Sequence, residues 1–110
     1  MAERTSGVEG VRRANLGEVL RLVHRQGPRS RAVITAETGL NRSTVSDLVA
    51  DLVTRGLVIE QDPDPTRRVG RPSPIVAPSD RVVAIAVNPE VDAIEVAAVG
   101  LGGRLRLRVR

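Results

Sequence analysis

The sequence predicts an α+β protein: a winged helix-turn-helix of three helices and a β-wing, followed by a three-stranded antiparallel β-meander. Three observations predict it. Two short apolar-periodic stretches, each opened by a capping residue, flank Gly39 between Ser30 and Ile59. A segment rich in Pro, Asp, Arg and Gly then separates two short apolar runs, as in a basic hairpin. From Arg81 to Arg110, strand-length apolar runs alternate with Asn/Pro and Gly turns.

Residues 1–10 are polar and Gly-containing, and are expected to be disordered. A first helix is predicted from about Val11 to Gln26, with Leu16, Val19, Leu20 and Val23 on one buried face and Gly27-Pro28 ending it. His24, the single histidine, lies in its last turn, where it suits the helix dipole as a structural or solvated residue. Ser30 caps a second helix over about Arg31–Thr38, with Ile34 inward and Ala32 and Ala36 small enough for a close helix crossing. Val33 stands where a full capping box would place Glu or Gln. Gly39 makes the turn and Leu40 plugs it. Asn41 caps a third helix over about Arg42–Arg55, with Val45, Leu48, Val49, Leu52 and Val53 as its buried stripe and Gly56 beyond its end.

Leu57-Val-Ile-Glu60 reads as a strand, Gln61 to Pro74 as the wing loop and Ile75-Val-Ala77 as the returning strand. Val82 to Val87 is a continuous apolar run, as in a strand buried on both faces. Asn88 to Asp92 is read as a turn, Ala93 to Val99 as a strand, and Gly100 to Gly103 as a second turn. Arg104-Leu-Arg-Leu-Arg-Val-Arg110 alternates apolar with arginine, so its two faces differ. A sheet with an apolar face needs a cover. The meander therefore reads as the opening of a second domain, dividing the chain into 1–10, a DNA-binding unit over 11–78 and a truncated start over 79–110.

Composition narrows the function. The 110 residues carry a net charge of +4, and all 17 basic residues are arginine. That points to an anionic partner, and arginine's planar fork suits phosphates and guanine edges. Without cysteine there is no disulfide, Cys-based zinc site or thiol catalysis, and the cytoplasm is the expected location. Without Phe, Tyr or Trp, base stacking on aromatic platforms is excluded, while duplex DNA remains. No stretch reads as a membrane span or secretory signal. No triad, metal cluster or Walker loop suggests an enzyme, and Asp62 and Asp64 balance nearby arginines.

The candidate DNA-binding residues follow from the helix-turn-helix and the wing. Arg42 can reach guanine or phosphate, while Ser43, Thr44 and Ser46 are short donors that allow close approach. Asp47 can accept from a cytosine amino group or orient a neighbouring arginine. The free amides at the starts of the second and third helices, capped by Ser30 and Asn41, suit phosphate, with Ser30 and Arg31 helping. In the wing, Thr66, Arg67, Arg68 and Arg71 beside Gly70 and Pro72 suit a narrow minor groove. No cofactor or metal site is expected.

These residues resemble the N-terminal region of ROK (repressor, open reading frame, kinase) family transcriptional regulators. The resemblance lies in Arg13-Ala-Asn-Leu16, Gly27-Pro-Arg-Ser-Arg-Ala32, Thr38-Gly-Leu-Asn-Arg-Ser-Thr-Val-Ser46, Leu52-Val-Thr-Arg-Gly-Leu-Val58 and Val69-Gly-Arg-Pro72, and spans about residues 11–110. It implies a winged helix joined to a sugar-kinase-like domain with an actin-like ATPase fold, and a regulator, typically a repressor, of carbohydrate genes. A sugar effector is implied only if a C-terminal domain exists, and a homodimer is a further expectation. Kinase activity is not carried over. Where kinase members have Gly-x-Asp-x-Gly, this chain has Ala86-Val-Asn-Pro-Glu90, and a glutamate there would repel phosphate. The alternative reading is a protein-interaction module that pairs through its exposed meander by strand addition, with DNA binding absent or incidental.

Overall fold

The computed structural model describes residues 7–62 and 73–110. Helix α1 spans Gly7–Gln26, strand β1 Arg29–Ser30, helix α2 Arg31–Thr38, helix α3 Arg42–Thr54, strand β2 Val58–Gln61 and strand β3 Ile75–Pro78. Strands β4 (Val83–Pro89), β5 (Ile94–Gly100) and β6 (Leu105–Val109) follow. The first sheet has the order β1-β3-β2 and the second β4-β5-β6, all pairs antiparallel. The first six elements form the winged helix-turn-helix and the last three form the meander.

Helix α1 begins earlier than the composition suggests. Gly7 to Gly10, expected to be disordered, are helical, with Glu9 in the first turn where a carboxylate complements the helix dipole. Helix α2 is capped as expected, with the Ser30 hydroxyl accepting from Val33 N, and Gly39 closes it at φ 74°. A side chain with a Cβ would be strained there, so glycine at this position is what allows the tight turn into α3.

The core is aliphatic. Val19 and Val23 from α1, Ile34 from α2, Val45, Leu48, Val49 and Leu52 from α3, and Val58 and Val76 from the sheet are fully buried against one another. Leu16, Leu20, Leu22, Leu40 and Leu57 pack around them, half-buried. Val53 is not part of this stripe: it is 39% exposed. It falls one step beyond the arc of α3 that the 45, 48, 49, 52 spacing covers. Ala32 and Ala36 also face outward, so they make no close helix crossing.

Residues 61–62 and 73–74 form the ends of the hairpin loop, and its middle, with Thr66, Arg67, Arg68, Gly70, Arg71 and Pro72, lies outside the described residues. Two-residue β1 pairs Arg29 with Val76 and Ser30 with Ile75, which fixes the start of α2 to the wing's returning strand.

In the meander, register places Val83, Ile85 and Val87 opposite Gly100, Ala98 and Val96, with Leu107 and Val109 beyond them on the same apolar face. The apolar run of β4, expected to be buried on both faces, is exposed along its length because no described element covers it. The expected turn at Asn88–Asp92 starts later, since β4 continues through Pro89. As an edge strand β4 tolerates a proline, whose missing N–H breaks no ladder bond on the open side. A hydrogen bond from Glu90 N to Ala93 O closes the turn at 2.7 Å.

Candidate nucleic-acid interface

The two helix starts expected to bind phosphate differ in what they leave open. At α2, Arg31 N donates to Pro74 O at 3.0 Å, Ala32 N to the Ser73 hydroxyl at 3.3 Å and Val33 N to the Ser30 hydroxyl at 3.1 Å. That end is closed by its own cap and by the residues just before the wing's returning strand, so the amides beside Ser30 are not free for phosphate. At α3, the Asn41 carboxamide oxygen accepts from Thr44 N at 2.8 Å and from the Ser43 hydroxyl at 2.9 Å, and Val45 N donates to Asn41 O. Arg42 N and Ser43 N have no partner among the described residues. This helix end is open, exposed and electropositive.

The outward face of α3 is set by helical spacing. Ser43, Asp47 and Ala50 lie opposite the buried stripe, and Arg42 and Ser46 flank them on one side. Arg42 is exposed, and its guanidinium has no hydrogen bond or ion pair among the described residues.

Two arginines brace this face from either side. Arg31, expected to help hold phosphate, has its guanidinium engaged within the protein. Its Nε and Nη2 donate to the Glu60 carboxylate at 2.7 and 2.8 Å, and its Nη1 donates to the Ser46 hydroxyl at 3.0 Å. The fork thereby joins the start of α2, the root of the wing and α3, and occupies the Ser46 hydroxyl. On the other side Arg12, from α1, donates through Nη1 to Asp47 Oδ2 and through Nη2 to Asp51 Oδ2, the latter at 2.8 Å. Arg55 Nε completes the set on Asp51 Oδ1 at 2.9 Å. Of the two roles expected for Asp47, the structure supplies a neighbouring arginine, and that arginine comes from α1.

Arg12 was not legible as a site residue, because its partners lie 35 and 39 residues away. Val8, Val11 and Asn15 of α1 likewise stand beside Ser43 and Thr44, lining a groove of about 430 Å³ at the open end of α3. The only sequence signal was an i, i+4 pair of aspartates on α3, which calls for a cation on a neighbouring element.

The hydrogen bonds from Arg55 and then Arg12 hold the Asp51 carboxyl below its ordinary range. Those that Arg12 donates to Asp47 and then Asp51 hold its guanidinium above its already high value. A lowered carboxyl contributes stability above its unfolded value, near pH 4, and loses it as pH falls through the lower folded value. The difference in urea midpoint between the parent and Asp51→Asn is therefore expected to be present at pH 7 and to shrink progressively as the pH falls below about 4. A difference that persists unchanged in acid would rule out this account of Asp51.

Among the described residues no group of His, Cys, Asp and Glu can hold a metal ion, and no helix is long and apolar enough to cross a membrane.

Comparison with known proteins agrees with the fold. Residues 17–68 match the sequence model of the MarR family. That match runs from Gly17 in α1 through β2 into the wing segment. The structure is also similar to the crystal structure of a ROK family transcriptional regulator, described as a homolog of the E. coli MLC protein. The TM-score is 0.62 at 20% identity, over 90% of this chain and 25% of that one. At that identity the likeness is one of fold, and the chain spans about a quarter of the length of that protein. No curated protein matches the chain.

Proposed function

We propose that this chain is a sequence-specific regulator of transcription that binds duplex DNA through its winged helix-turn-helix. One observation carries the reading. The N-terminal turn of α3 is held from behind by a fully buried aliphatic core and left open in front, with two amides and an arginine that have no partner among the described residues. A rigid helix that presents such a turn fits the major groove, with phosphate at the helix start and base edges along the outward face.

In this reading Arg42, Ser43 and Thr44 lie nearest the DNA, with Asn41 shaping the turn that presents them. Ser46 and Asp47 follow along the helix, and Arg31 holds the wing root against α3. Arg67, Arg68 and Arg71 serve the adjacent minor groove. The match to the MarR family model and the fold shared with a ROK regulator support the same use of the domain. Repression of carbohydrate genes, a two-fold dimer on paired half-sites, and a meander that opens a sugar-kinase-like domain are the finer parts of the proposal. They draw on the likeness to the ROK regulator and on the uncovered apolar face of the meander.

Selection from a randomised duplex library, followed by fluorescence anisotropy on the winning sequence, tests the reading. Log affinity is expected to fall linearly with log salt, with a slope of about 0.9 for each phosphate contacted. Binding that ignores salt, or a library that yields no preferred sequence, would refute it. The interaction-module reading draws instead on the open edge of the meander, where another chain would add a strand. It predicts a protein complex that forms without DNA and resists salt, which light scattering detects.

A further inference from the structure

We infer that Arg12 is a specificity-determining positioning residue: from α1 it fixes which edge of the side chain at position 47 faces the major groove, and so which base that side chain prefers. The inference rests on the DNA-binding reading above and concerns a residue outside the helix-turn-helix itself.

Asp47 lies on the outward face of α3, one turn beyond Ser43, with its side chain 65% exposed. A lone carboxylate there would meet a polyanion with nothing to offset its charge, and would rotate freely. Arg12 removes both difficulties. One guanidinium nitrogen donates to Asp47 Oδ2 while the other is anchored 2.8 Å away on Asp51, itself held by Arg55. A planar fork with one arm tied down cannot swing away as a single lysine ammonium can. Asp47 Oδ1 has no hydrogen-bond partner among the described residues. It is the oxygen left to face a base. An acceptor held in that position selects an exocyclic amino group in the major groove, most directly the N4 of cytosine.

Asparagine at position 47 makes the inference testable. Arg12 has only donors, so it can bond only the carbonyl oxygen of that amide. The NH2 group would then be turned outward, presenting a donor where aspartate presents an acceptor. The preferred base should change from one offering an amino group to one offering an acceptor, guanine or thymine. Without Arg12 the amide is free to flip and neither edge is enforced.

The experiment uses the full chain and a set of selected duplexes that differ at one base pair, read by anisotropy at fixed salt. The parent is expected to prefer cytosine at one position by about tenfold. Asp47→Asn should invert that preference by a similar factor, and Arg12→Ala combined with Asp47→Asn should abolish it. Arg12→Met, which keeps the aliphatic stem without a donor, replaces the alanine variant if that one does not fold. The inference is overturned if Asp47→Asn keeps the parent's preference, or if the inversion is the same with and without Arg12. A parent chain that binds no duplex refutes the DNA reading, and this inference with it. A parent that binds specifically while the variants behave alike refutes this inference alone.

Discussion

Leu48→Ala is expected to destabilise the winged helix by about 2–5 kcal/mol, a large fraction of the stability of a small domain. Leu48 is 1% exposed and sits between the buried residues of α1, α2 and the sheet. Truncating it removes apolar contact and leaves a cavity that valine and leucine neighbours fill only in part. A core without a single aromatic side chain has no large neighbour to swing into the gap. Small domains have little reserve, since total stability is only about 5–15 kcal/mol. With no Trp or Tyr for fluorescence, helical circular dichroism in urea is the suitable measurement. Val53→Ala is the control, because that side chain is 39% exposed and off the buried arc. Its midpoint should move far less. Equal shifts for the two variants would show that α3 does not pack on the face described.

The same pair of residues shows what the sequence could and could not reveal. Helical spacing identified four of the five stripe positions on α3, because a 3.6-residue period fixes which side chains share a face. It could not locate the edge of that face, which depends on how α1, α2 and β2 surround the helix, so Val53 was misplaced. Caps were legible for the same local reason. Ser30, Gly39 and Asn41 act through bonds that span three or four residues. The early start of α1 was hidden by Gly7 and Gly10, which weaken a local helical signal but do not prevent a helix. The two-residue strand β1 gave no periodic signal, since only pairing with β3 defines it. The site followed the same rule. Arg42, Ser43 and Thr44 were legible as the opening turn of a capped helix. The partners of Arg31 and Asp47 were not, because Glu60 and Arg12 are brought to them by the tertiary fold.

Arg42→Ala is expected to weaken binding to the preferred duplex by about 5- to 150-fold, which corresponds to about 1–3 kcal/mol. The folded protein should not notice the change. Arg42 is exposed and makes no hydrogen bond or ion pair among the described residues, so its removal breaks no brace and opens no cavity. The loss therefore belongs to the complex. Two signatures separate what the guanidinium touches. If it meets phosphate, affinity falls evenly across sequences and the log–log salt slope shrinks by about 0.9. If it meets guanine, the preference at one position relaxes as well. Arg25→Ala removes the same charge from the last turn of α1, about 20 Å along that helix from Arg12. That distance exceeds the screening length of about 8–10 Å at physiological salt. Arg25 should thus matter little if a specific surface is engaged. Were the two alanine variants to lose the same affinity, attraction of a basic protein to DNA would account for binding, and the open turn of α3 would have no special part in it.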